Sequence, residues 1–181
     1  MEKLVSKVVN FFWLDKLKTD AKEKSTLKLL NIEDTIIGKT HNIWFSGGAE
    51  PFAVKRCNIK SKLACGTYTL QQDRAKFSRQ SVSPICQLCK HEPEDREHFI
   101  IKCKVLEEVR SPFIDKLRCY IKDIASGILF DELFQSNNNL LQLIIDCSKF
   151  HFLTNQQHVH IEKISAGLCF SLHQKRSSML E

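Results

Sequence analysis

The chain has 181 residues, a mass of 20.9 kDa, a formal net charge of +6 and a pI near 8.9. Its 43% hydrophobic and 27% charged residues fit a globular protein large enough for one ordinary core. No apolar run approaches the roughly 20 residues that a bilayer crossing needs, so membrane-spanning functions are not expected.

Eight cysteines raise the question of a disulfide framework. The first residues argue otherwise. The apolar stretch from Val8 to Leu14 is short, is broken by Asn10 and lacks a small-residue cleavage site. The expectation is an intracellular protein, cytoplasmic or nuclear, whose clustered cysteines hold metal.

Helical periodicity dominates, without sustained alternation. A first helix is expected over 2–17, with Leu4, Val5, Val8, Phe11 and Phe12 on one stripe, and a second over 21–30. A loop carrying Gly38, Gly47 and Gly48 leads to Glu50-Pro51, a suitable first turn for the next helix. That helix repeats Val54, Cys57, Ser61, Ala64 and Cys65, with Phe52, Ile59 and Leu63 on another face, and stops at Gly66. A short helix over 71–77 precedes a polar stretch. Further on, Ser111-Pro112 reads as an N-cap and first position, Asn137 to Asn139 as a turn, and 140–150 and 156–175 as two more helices. The expected fold is all-α, a helical domain with an inserted CCHC zinc loop. It divides into an N-terminal helical region with a basic patch (1–80), the zinc motif (81–110) and a C-terminal helical region (111–181).

The motif is Cys86, Cys89, His98 and Cys103, spaced C-x2-C-x8-H-x4-C. Three thiolates and an imidazole complete a tetrahedral shell for Zn²⁺ and leave no position for water, which indicates a structural ion. His91 is a rival ligand, but it follows Cys89 so closely that the loop would be strained. Pro93 and the acids behind it read as the solvated start of a helix from which His98 projects. Cys103 lies five residues on, about 140° around an ideal helix. The helix must therefore distort or end between them.

From Lys62 onward the residues carry a resemblance. The run GTY-x-LQ-x2-RA-x-F, the cysteine pair, the acidic PED-x2-HF stretch and the closing C-x2-L-x3-R resemble the C-terminal zinc-binding region of invertebrate non-LTR retrotransposon reverse transcriptases. Residues 141–147 and Leu172-His173-x-x-Arg176 are similar to that family's tail. The resemblance implies that Cys86, Cys89, His98 and Cys103 are metal ligands. It covers about two thirds of the chain but not the family's chemistry: two adjacent aspartates occur nowhere, and His91-Glu92 does not continue into H-E-x-x-H. No enzymatic activity is expected.

For nucleic acid the candidates are Lys55, Arg56, Lys60, Lys62, Arg74, Lys76 and Arg79, seven cations between residues 55 and 80 against the single acid Asp73. Such a surface holds phosphates by counterion release without reading sequence, and Tyr68 and Phe77 are candidates to stack on unpaired bases. RNA or single-stranded DNA is the expected partner. The alternative is a helical protein-interaction domain in which zinc only staples the fold. His158 and His160 are expected in solvent, Cys119, Cys147 and Cys169 in the core, and Trp13 and Trp44 as packing anchors.

Overall fold

The computed structural model describes the chain from residue 2, with side chains from residue 7. The side chains of Leu4 and Val5 therefore lie outside the described residues. The helices in chain order are α1 (Glu2–Glu23), α2 (Asn42–Phe45), α3 (Pro51–Ala64), α4 (Gln71–Phe77), α5 (Glu107–Ile124), α6 (Gly127–Gln135), α7 (Asn137–Ile145) and α8 (Asn155–Leu180). Among the described residues there is no strand, only an isolated antiparallel bridge between Ile85 and Pro93. The fold is all-α, with the Cys/His loop set between α4 and α5.

The long helix α8 is the centre of the packing, with α3 and α5 against it and α2 and α7 completing the cover. Its buried side chains include Ile161, Leu168, Cys169 and Leu172, and Gly167 lets the ring of Phe113 on α5 approach closely. One continuous core, from Ile43 to Leu172, runs through all three sequence regions and takes in Cys86, Phe99, Ile100 and Cys103 of the metal loop.

Local chemistry explains where helices begin and end. Pro51 occupies the first turn of α3, and the Glu50 carboxylate accepts from the amides of Phe52 and Ala53. Beyond its end, Gly66 takes φ of +68°. The start of α8 is a capping box, Thr154 and Gln157 accepting from each other's backbone N–H.

Several boundaries differ from expectation. No breaker separates 17 from 21, so α1 runs on to Glu23, and the predicted second helix is reduced to a 3₁₀ turn at Ser25–Leu27. The Ser111-Pro112 pair lies in the second turn of α5, which starts at Glu107, where two acids suit the helix N-terminus. Residues 137–139 open α7 instead of forming a free turn, because Ser136 caps them through the Asn139 amide. The helix α6, capped by Ser126, was not foreseen.

The apolar stripe of α1 is not packed: Val8, Phe11, Phe12 and Trp13 are all exposed. Trp13 and Trp44 are therefore not core anchors, and Cys119 is exposed while Cys147 and Cys169 are buried. His158 is buried, its Nε2 against the Phe150 carbonyl, whereas His160 is exposed beside the Tyr120 ring. Among the described residues no helix is long and apolar enough to cross a membrane.

Candidate metal centre

Cys86, Cys89, His98 and Cys103 converge: one ligand atom from each lies within 4.8 Å of all the others. In a tetrahedral zinc site with ligands at 2.0–2.3 Å, neighbouring donors stand about 3.5–3.8 Å apart. The Cys89 Sγ to His98 Nε2 distance, 3.3 Å, is close to that value. The chain thus carries a Cys₃His group positioned to bind a metal ion. His91 is exposed and stands outside it.

The spacing of His98 and Cys103 is resolved by a π turn. Residues His98–Lys102 form this wider coil, and the Cys103 amide donates to the His98 carbonyl at 2.8 Å. An i to i+5 bond is the signature of this turn. It brings residues five apart back onto one side, which an α-helix would not. On the other half of the site, Lys90 takes a positive φ of 59°, and the Cys86 amide pairs with the Glu92 carbonyl. Pro93 sits in the bridge with Ile85 and does not open a helix. An extended turn is needed there, since it must bring Cys86 and Cys89 back over His98.

Of the acids expected in solvent, Glu92 is exposed but Glu94 is buried, and Glu92, Glu94 and Asp95 all hold the loop in place. Glu92 Oε2 accepts from His98 Nδ1 at 3.1 Å, which leaves Nε2 facing the cysteines. A carboxylate behind a ligating histidine fixes its tautomer and the orientation of its ring. Asp95 accepts from the His98 amide at 2.7 Å. Glu94 is 1% exposed; its oxygens receive the Arg176 guanidinium at 2.7 and 2.8 Å, and Oε2 also accepts the Gln71 amide that opens α4. One carboxylate thereby ties the metal loop to α4 and α8.

Two arginines complete the anchoring. Arg96 donates to the carbonyls of Leu63 and Ala64 at the end of α3 and to Thr26. Arg110, buried on α5, donates to the carbonyls of Ile100 and Cys103. The sequence motif had included Arg110 and Arg176 only as matched letters. Their partners, Glu94 above all, were missed because a charged residue buried by a distant partner leaves no local periodicity.

Burial pushes the Cys86 thiol up to about 12 and raises Cys103 as well. For Cys89 burial acts in the same direction, but the amides of His91 and Glu92 outweigh it and lower the pKa. A metal entering this site must therefore displace thiol protons.

The basic candidates separate. Lys55, Lys62, Arg74, Lys76 and Arg79 are exposed, and Arg56 is half-buried with its guanidinium over the Phe52 ring. Lys60 does not belong with them. It is fully buried, with Nζ 2.5 Å from both Glu162 Oε2 and Ser165 Oγ, so it cannot reach a phosphate. Burial alone would lower its pKa, but the Glu162 carboxylate outweighs burial and raises it. Tyr68 is likewise withdrawn, stacked on Phe99 and hydrogen-bonded to His173, while Phe77 is 87% exposed.

Fold and site together define an all-α protein packed on α8 that carries a Cys₃His cluster between α4 and α5. Comparison with protein-family models, curated proteins and solved structures finds no match to this chain.

Proposed function

We propose that the chain is a zinc-stapled, non-catalytic nucleic-acid-binding module, derived from the C-terminal zinc-binding region of a non-LTR retrotransposon reverse transcriptase. Three thiolates and an imidazole favour zinc over the harder divalent ions, and a four-ligand shell suits a bracing role. The observation that carries the binding reading is the edge of α4. There Phe77 stands 87% exposed, flanked by the exposed Arg74, Lys76 and Arg79, and none of these three cations forms a salt bridge among the described residues. An isolated aromatic ring among free cations matches the needs of an unpaired strand, stacking for a base and charge for its phosphates.

The test is binding of a fluorescent single-stranded RNA across a salt series. Affinity should fall with log salt, and Arg74→Glu or Lys76→Glu should weaken binding and flatten the slope by about one unit each. Binding that is absent, or indifferent to salt and to Phe77→Ala, refutes the proposal.

A second reading is supported by α1. Its exposed Val8, Phe11, Phe12 and Trp13 favour a helical protein-interaction domain in which zinc is purely structural.

A further inference from the structure

A second surface differs from the α4 edge. Two cavities of about 640 and 460 Å³ share Phe45 and Val159, and so form one groove between α2, the start of α3 and the first half of α8. Each is on the scale of a small-ligand pocket, and together they exceed the room one such ligand needs. The floor is apolar, from Phe45, Val159, Ala53 and Ala166, with the amides of Asn42, Asn155 and Gln156 at one end.

Charge on this groove has one sign. Lys39, Arg56 and Lys163 line it, and no acidic side chain does. The nearest acid in sequence, Glu162, is turned inward to Lys60. The Arg56 Nε is buried without a hydrogen-bond partner, although its guanidinium plane lies on Phe52. A buried donor left unpaired disfavours the free state and is relieved by an incoming acceptor. Phe45, which lines both cavities, is 64% exposed, and its chain neighbour Trp44 on α2 is 41% exposed at the groove's edge without lining either cavity.

We infer that this groove holds unpaired bases of a single-stranded nucleic acid, with the phosphates on Lys39, Arg56 and Lys163. The inference rests on the nucleic-acid reading above and places further bases in the groove between α2, α3 and α8, away from the α4 edge. A duplex cannot serve, because its base faces are stacked inside and the groove floor offers contacts only to exposed rings. An acidic peptide would satisfy the cations but would leave the exposed aromatics without a flat partner. Along α3, Lys55 and Lys62 are two turns apart on one side, about 10 Å. They carry the backbone of the same strand from the groove toward α4.

The experiment uses the full metal-loaded chain with Trp13→Phe, which leaves Trp44 as the only tryptophan of the two. Oligouridylate should quench Trp44 fluorescence on binding, while blunt duplex RNA should not. Phe45→Ala and Lys163→Glu, both at solvent-exposed positions, should each weaken oligouridylate binding about 5- to 100-fold with helical circular dichroism unchanged. Arg74→Glu should weaken binding yet leave the quench at saturation intact. Native binding that survives both groove substitutions overturns the groove and leaves the α4 edge standing. No binding by the native chain overturns both readings. Displacement of the RNA by polyglutamate at equal charge assigns the groove to an acidic peptide and overturns the inference.

Discussion

Replacing Glu162 by Gln keeps the size of the side chain and removes its charge, leaving the Lys60 ammonium without a counter-ion. Both groups are fully buried in the native chain, and their oxygen and nitrogen stand 2.5 Å apart. Breaking such a pair from one side costs about 3–5 kcal/mol, because the remaining charge stays desolvated. A domain of this size has a total stability of about 5–15 kcal/mol. With a urea m-value near 2 kcal/mol/M, the unfolding midpoint should fall by about 2 M.

The cost should also depend on pH. In the native chain Glu162 raises the Lys60 pKa, so the pair's contribution is complete below the unfolded lysine value near 10.4 and is lost only as pH rises through the folded value. In Glu162→Gln the largest opposing charge is gone, and burial should lower that pKa. The unfolded state then binds more protons, and the variant gains stability as pH rises toward 10 while the native chain does not. Removing both charges, Lys60→Met with Glu162→Leu, should recover most of the loss. Urea unfolding with metal present, at pH 7 and at about pH 9, reads all three chains. A loss under about 1 kcal/mol for Glu162→Gln, or one that does not shrink with pH, would refute the account of a charged buried pair.

Mass spectrometry of protein purified without added metal should find one zinc per chain, absent from Cys86→Ser and Cys103→Ser. Glu92→Ala should keep the ion but bind it about 10- to 100-fold more weakly in a chelator competition, because His98 loses the carboxylate behind its ring. Burial opposes ionisation of Asp146, but hydrogen bonds from His41, the Asn31 amide and Ser148 overcome it and hold the pKa at about 2. Stability from this group is full above the unfolded value near 3.9 and disappears as pH falls through 2. The difference between the native chain and Asp146→Asn should therefore shrink by about 2–3 kcal/mol across that window in acid unfolding. Gly66→Ala combines a φ of +68° with a new Cβ 2.7 Å from Thr26 Cβ, and should lower stability by at least about 1–2 kcal/mol in urea.

What the sequence made legible was local. The four ligands lie within eighteen residues, and Pro51 and Gly66 mark the ends of α3 through backbone chemistry that neighbours decide. The distortion required between His98 and Cys103 followed from the five-residue spacing, though not its form as a π turn. What stayed hidden depends on partners far along the chain. In the basic run Lys60 looks like Lys55 and Lys62, since its glutamate is 102 residues away. One signal was available: Lys60 is three residues from both Cys57 and Leu63, the buried side of α3. Glu94 offered no such hint, because Arg176 lies 82 residues on. Periodicity identified α1 as a helix, yet its stripe of Val8, Phe11 and Phe12 carries no information on whether anything covers it.

The order in which a ribosome delivers this chain gives α8 a further consequence. At 5–20 residues per second, Glu162 emerges roughly 5–20 s after Lys60, a gap of 102 residues. Helix formation takes microseconds, so α3 waits not on its own coiling but on the counter-ion and the packing that α8 brings. The cysteines and His98 are complete far sooner and can close on an ion while most of α8 is still unmade. The nascent chain thus completes its Cys₃His cluster early, while a lysine that the finished fold buries must wait in water. Its central helix is the piece that arrives last among all its partners, so a stall before Glu162 leaves the surface of α3 open to the chaperones and proteases that inspect unfinished proteins.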